Sequence, residues 1–222
     1  MLLGFNTKYK FTNNLHAYAQ LSLDELNTQR LSEGDDWWAN KFAWQFGFKS
    51  FHTFIPNLTI QSELNFARPF TYSHTNEIQS YTNFNQSITH PLGSNFIESV
   101  SHINYRYKRF YGSLQVLIAR QGLNPTDEST GETINLGSNL LISSDSRFQE
   151  FNNTFLQGDR ASTTFINAKI GYIVNPNYNL VFELGFTSRD YTVENNPDER
   201  FENNRIFQVG LKSDLFRYYY DF

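Results

Sequence analysis

Apolar and polar residues alternate with a period of two along most of the chain. In KFAWQFGFK, Phe42, Trp44, Phe46 and Phe48 alternate with Ala43, Gln45, Gly47 and Lys49. In LTIQSELNF, Leu58, Ile60, Leu64 and Phe66 alternate with Thr59, Gln61, Glu63 and Asn65. In LVFELGF, Leu180, Phe182, Leu184 and Phe186 oppose Val181, Glu183 and Gly185. A period of two sends successive side chains to opposite faces of an extended chain. No helical stripe longer than two turns breaks the pattern. It predicts nine strands, at 2–12, 15–26, 41–54, 58–67, 96–108, 111–121, 161–174, 179–189 and 203–222.

The connections alternate in length. Short ones fall at Asn13-Asn14, around Pro56-Asn57, from Lys108 to Phe110 and from Asn175 to Tyr178, where Asn and Pro supply turn chemistry. Long ones cover 27–40, 68–95, 122–160 and 190–202 and are rich in Asn, Ser, Asp and Gly. Tight turns at one end and long loops at the other are the pattern of an outer-membrane barrel. The expected fold is therefore all-β: a transmembrane antiparallel outer-membrane β-barrel, with short periplasmic turns and long extracellular loops.

Composition sharpens this. Aromatics make up 17% of the chain, with 22 Phe and 13 Tyr, more than a soluble core requires. Membrane barrels carry such rings in girdles at both interfaces. Lys8, Lys10, Lys49, Glu63, Lys169 and Glu183 all fall on the polar side of a strand, where a wet lumen would accept them. A soluble β-sandwich also alternates, but its buried inner faces do not hold such charges. The net charge is −4, and no Lys/Arg run offers itself to nucleic acid. Cys is absent, which removes disulfide and thiolate chemistry. No stretch approaches the roughly 18 apolar residues of a membrane helix.

The two ends add an expectation. If Asn13-Asn14 is periplasmic, the ninth strand ends in the periplasm but the first begins outside the cell. Single-chain bacterial barrels have an even strand count, and MLLGFNTKYK does not read as a signal peptide because Lys8 and Lys10 interrupt it. Residues 1–222 are thus expected to form one barrel domain that is the C-terminal portion of a larger barrel. In DLFRYYYDF, Phe216, Tyr218, Tyr220 and Phe222 share one side of the last strand. They suit lipid near the periplasmic interface, and resemble the signal by which barrel-assembly machinery recognises outer-membrane proteins through a terminal Phe. Phe207, Val209 and Leu211 stand on the opposite parity, which calls for a bulge near Lys212 to Leu215.

Several blocks carry a family resemblance: LLGFNTKYKF, DELN followed by the Trp37-Trp38 pair and NKFAWQFGFK, RPFTYSHTN, YTNFNQSITHPLGSNF and VGLKSDLFRYYYDF. Together they resemble the gliding motility protein RemB family of Bacteroidetes and, more loosely, Wzi-type capsule assembly barrels. RPFTYSH…HPLGSN is the most specific block; the ending is generic to outer-membrane barrels. The resemblance covers nearly the whole chain but only the C-terminal half of the family's length. It implies a non-enzymatic outer-membrane barrel of a Gram-negative bacterium, serving gliding or the assembly and attachment of surface polysaccharide, with no catalytic residues to carry over. The alternative is a pore for polysaccharide or small solutes, with lumen charges setting selectivity.

Two loops hold candidate binding residues. The 68–95 loop carries Arg68, Tyr72, His74, Tyr81, Asn85, Gln86, His90 and Asn95. Aromatic faces stack on sugar rings, and amides and Arg bond hydroxyls and carboxylates; the same groups equally serve to bond the loop to itself. Asp35, Asp36, Trp37 and Trp38 form the second cluster, read as a sugar platform or as an anchor at the outer interface. His74, His90 and His102 lack metal-ligand spacing. Ser73-His74 and Ser101-His102 are sequence neighbours, which on a strand point apart. No cofactor, metal or catalytic residue is expected.

Overall fold

The structure is a computed structural model that describes residues 2–52, 54–194 and 202–213. In chain order its strands are β1 (Leu3–Lys10), β2 (Leu15–Glu25), β3 (Lys41–Phe51), β4 (Leu58–Ala67), β5 (Thr82–Asn83), β6 (Gln86–Ser87), β7 (Phe96–Tyr107), β8 (Phe110–Leu123), β9 (Asp159–Asn175), β10 (Leu180–Val193) and β11 (Glu202–Lys212). All but β5 and β6 form a single nine-stranded antiparallel sheet in sequence order, a pure meander. The two-residue strands β5 and β6 pair only with each other. No helix among the described residues is long and apolar enough to cross a membrane.

The strands form where period two dictates, and the tight turns fall on residues that tolerate a left-handed backbone: Asn57, Lys108 and Asn179 take φ of 64°, 54° and 45°. Register then sorts the side chains. One row across the sheet reads Ile60, Ile103, Leu114, Ala168, Phe186 and Phe207. The row beside it, on the other face, reads Lys10, His16, Lys49, Gln61, His102, Gln115, Asn167 and Thr187. A slip of one residue in any pair would exchange these faces; none occurs between them. The apolar face is bare: Phe5, Phe46, Ile118, Ile170 and Leu184 are each at least half exposed. A contiguous apolar face of this extent requires an apolar partner. Among the described residues the only other sheet is the β5–β6 pair, so the layer that would make a sandwich is not there.

Three details depart from the sequence expectation. Strands β8, β9 and β10 run further toward the long-loop end than the apolar pattern indicates, because their ladders continue through polar pairs such as Asp190–Thr164 and Arg160–Gly122. The 27–40 loop contains a short helix, α1 (Thr28–Glu33), started by the Asn27 side chain and ended by left-handed Gly34. The sheet is open, as part of a larger barrel would be: β1 and β11 each pair on one side only. The polar face is not wholly polar, since Val100, Leu117 and Phe165 form one row of it. The terminal aromatics lie outside the described residues, as do residues 214 and 215 of the expected bulge.

Candidate functional site

The long loops at one end of the sheet fold onto each other and onto the polar face. Arg68 ties three of them together: its guanidinium reaches the Asp36 carboxylate and the Asn153 carbonyl, both at 3.3 Å. Asn152 and Asn153 donate their backbone N–H to the carbonyls of Asp35 and Asp36 at 2.8 and 3.0 Å. Asn95, fully buried, donates from Nδ2 to the carbonyls of Gly122 and Gln157 at 2.8 and 2.9 Å and accepts from the Leu156 amide at 2.8 Å. Arg68 and Asn95 are thus committed to holding the loops, as buried polar groups must be.

The Trp pair is similarly placed. Lys41 Nζ lies 4.6 Å and the Arg147 guanidinium 4.4 Å from the centroid of the Trp38 ring, and the buried Phe70 meets it edge-on at 5.9 Å. Trp37 packs edge-on to Trp38 at 6.3 Å. Trp38 therefore sits within the loop assembly, among cations. Lys41, itself buried, donates to the Ser73 carbonyl at 2.9 Å and stands 3.5 Å from Glu25. Charges this far from water persist only when paired.

The 68–95 loop meets the wall near both ends, each time beside a histidine. His74 Nε2 sits 3.2 Å from Asp24 of β2, and His90 Nε2 is hydrogen-bonded to Glu98 of β7 at 3.0 Å. Asp24 also accepts the Tyr72 backbone N–H at 3.0 Å. Ser73 Oγ donates to the Ile142 carbonyl and Ser101 Oγ bonds Ser62, so neither serine addresses its neighbouring histidine. Among the described residues no group of His, Asp or Glu is arranged to hold a metal.

Held this way, the loop roofs a hollow of about 470 Å³ over the polar face. Tyr72, Tyr81, Ile88 and His90 come from the loop; Asn6, Gln20, Gln45 and Asn65 come from β1 to β4. The Tyr72 and Tyr81 rings pack at 5.8 Å with a tilt of 52°, and His90 stacks on Phe96 at 4.3 Å. Burial pushes the Tyr72 phenol above its ordinary range; the charge of Asp24 adds to this while a hydrogen bond with Ser22 opposes it. The hollow therefore presents aromatic and amide groups. Tyr72, Tyr81 and His90 were legible as candidates. The four wall amides were not, because only the register brings them together. Asn85 and Gln86 lie apart, exposed at the tip of the β5–β6 hairpin. They border a second, open hollow of about 780 Å³ shared with the 124–158 loop.

Toward the short-turn end the polar face repeats one motif. Tyr18 pairs with Gly47, which pairs with Glu63, and the phenol crosses the glycine to donate to the carboxylate. Tyr111, Gly171 and Glu183 do the same on β8, β9 and β10. A Cβ on Gly47 would fall 2.5 Å from the Tyr18 ring, so only glycine permits the crossing.

Comparison with protein-family models, with curated proteins and with solved structures found no match.

Proposed function

We propose that this chain forms part of the wall and the extracellular cap of an outer-membrane β-barrel that holds a surface polysaccharide without catalysing its reaction. The apolar face would meet lipid and the polar face a wet lumen. An open sheet edge is not tolerated in hydrocarbon, so β1 and β11 require further strands beside them in the membrane. On this reading the short turns are periplasmic and the folded loops face outward.

The observation that carries the polysaccharide reading is the roofed hollow. Two tyrosines and a histidine stand over a floor of four amides, with no carboxylate or ammonium group among its lining residues. Aromatic faces take the apolar face of a sugar ring, and amides bond its hydroxyls. The resemblance to RemB-type and Wzi-type barrels supports the same role, in gliding or in capsule attachment. The test is genetic and direct. Deleting the gene should impair surface spreading or release capsule, and a Tyr72→Ala/Tyr81→Ala chain that reaches the outer membrane should fail to restore either. Normal spreading and normal capsule in the deletion strain would contradict the proposal.

A further inference from the structure

The charges on the polar face are not evenly spread. At the long-loop end they are matched: Lys41 faces Glu25, and Arg189 pairs with Glu202 at 2.7 Å. Toward the short-turn end, register places Lys8, Lys10, Lys49, Arg106, Lys169 and Lys212 on this face. The strand carboxylates on that half are Glu63 and Glu183. Both are already engaged, Glu63 by Tyr18 and by Gln61 and Gln45 at 2.7 and 3.3 Å, Glu183 by Tyr111 and, more distantly, Lys169 at 3.9 Å. Among the described residues the other five cations have no carboxylate within ion-pair reach. A chain of net charge −4 has thus gathered cations on one half of one face.

Three of them converge. Arg106, Lys169 and Lys212 line a hollow of about 370 Å³ with Asn104, Tyr111, Ser113 and one carboxylate, Glu183, which Tyr111 and Lys169 already engage. Lys8 and Lys10 lie on the same face of β1, about 7 Å apart along it. Concave surfaces of one sign concentrate field and counter-ions, and rings of Lys and Arg mark anion-accepting pores.

We propose that the short-turn half of the polar face binds the carboxylate groups of an acidic polysaccharide, with the hollow between Arg106, Lys169 and Lys212 as its main site. This rests on the polysaccharide reading above and names the chemical class of the chain. Arg106 supplies a fork for a carboxylate, the lysines supply point charges, and Asn104 and Ser113 supply hydroxyl partners. The aromatic hollow under the loops would then grip the chain by its rings while this wall reads its charge.

The experiment uses the full-length protein purified from outer membranes in detergent, with polygalacturonate as the acidic probe, dextran as the neutral one, and galacturonate monomer as competitor. Polygalacturonate should bind at least tenfold more tightly than dextran and weaken as salt rises. Arg106→Gln/Lys212→Gln should weaken it at least tenfold, while Lys108→Gln, a turn residue, should leave it unchanged. Should the first variant misfold, Lys8→Gln/Lys10→Gln/Lys49→Gln provides the same reading from the other side of the wall. Equal binding of both polymers, insensitive to salt and to the variants, overturns this inference and leaves the polysaccharide reading standing. Binding of the monomer alone also overturns it. Binding of none of the three removes both.

Discussion

Tyr111 and Glu183 are joined by a hydrogen bond that passes over an intervening strand, and the strand lets it pass only because Gly171 lies beneath the ring. Tyr18 and Glu63 repeat the arrangement over Gly47 at a second place on the same face. Each crossing locks three consecutive strands side to side and fixes where the phenol and the carboxylate stand on the polar wall.

Gly47→Ala should push the Tyr18 ring off the wall and cost roughly 1–3 kcal/mol, the usual price of overpacking. Gly4→Ala, where a Cβ meets nothing within 4 Å, is the matched control. Equilibrium urea unfolding in micelles measures both. Equal midpoints for the two variants would show that the crossing contributes nothing.

Removing only the hydroxyl tests the other half of the motif. Tyr18→Phe keeps the ring over Gly47 and leaves Glu63 with its two glutamine partners, Gln45 and Gln61. The expected loss is smaller, about 1 kcal/mol, as for one hydrogen bond among several. A loss as large as that of Gly47→Ala would mean that the bond, and not the ring, carries the crossing.

Asn95→Ala should loosen the loops while leaving the sheet intact. It strands the Gly122 and Gln157 carbonyls and the Leu156 amide, a penalty of about 1–3 kcal/mol for a buried group left unpaired. Hydrogen exchange at Leu156 and in residues 124–158 should quicken, with exchange in β3 and β4 unchanged. Unchanged exchange at Leu156 would contradict the role given to Asn95.

The sheet was readable from the sequence because its signal is local. Every strand carries its own alternation, and Asn and Pro mark the tight turns. The extensions of β8 to β10 were missed because each starts at a polar or glycine position, Gly122, Arg160 and Asp190, where the run of large apolar residues stops. The loops were hidden for a different reason. Arg68 meets Asn153 across 85 residues, and Asn95 meets Gln157 across 62, contacts that no local window contains. Within the 68–95 loop the sequence named eight candidates. Tyr72, Tyr81 and His90 share the roofed hollow, Arg68 and Asn95 hold the loops, His74 lies against Asp24 of β2, and Asn85 and Gln86 stand exposed. The tyrosines of the two crossings drew no notice, since a Tyr on the polar side of a strand means little until the register shows a glycine beside it.

The central claim is that one face of this sheet meets lipid and the other meets water. Charge placement gives a first check: Phe46→Arg should cut outer-membrane assembly sharply, by a cost of about 2–4 kcal/mol at mid-depth, whereas Gln45→Arg should be tolerated. The most direct measurement uses the absence of cysteine from the chain. Single cysteines at Gln45, Phe46, Leu184 and Gly185, labelled with bimane in bilayers containing brominated lipid, report which face touches acyl chains. Strong quenching at Phe46 and Leu184, with little at Gln45 and Gly185, is the predicted result. Equal quenching at all four positions, or a chain that stays folded in water with its apolar rows covered by protein, would contradict it.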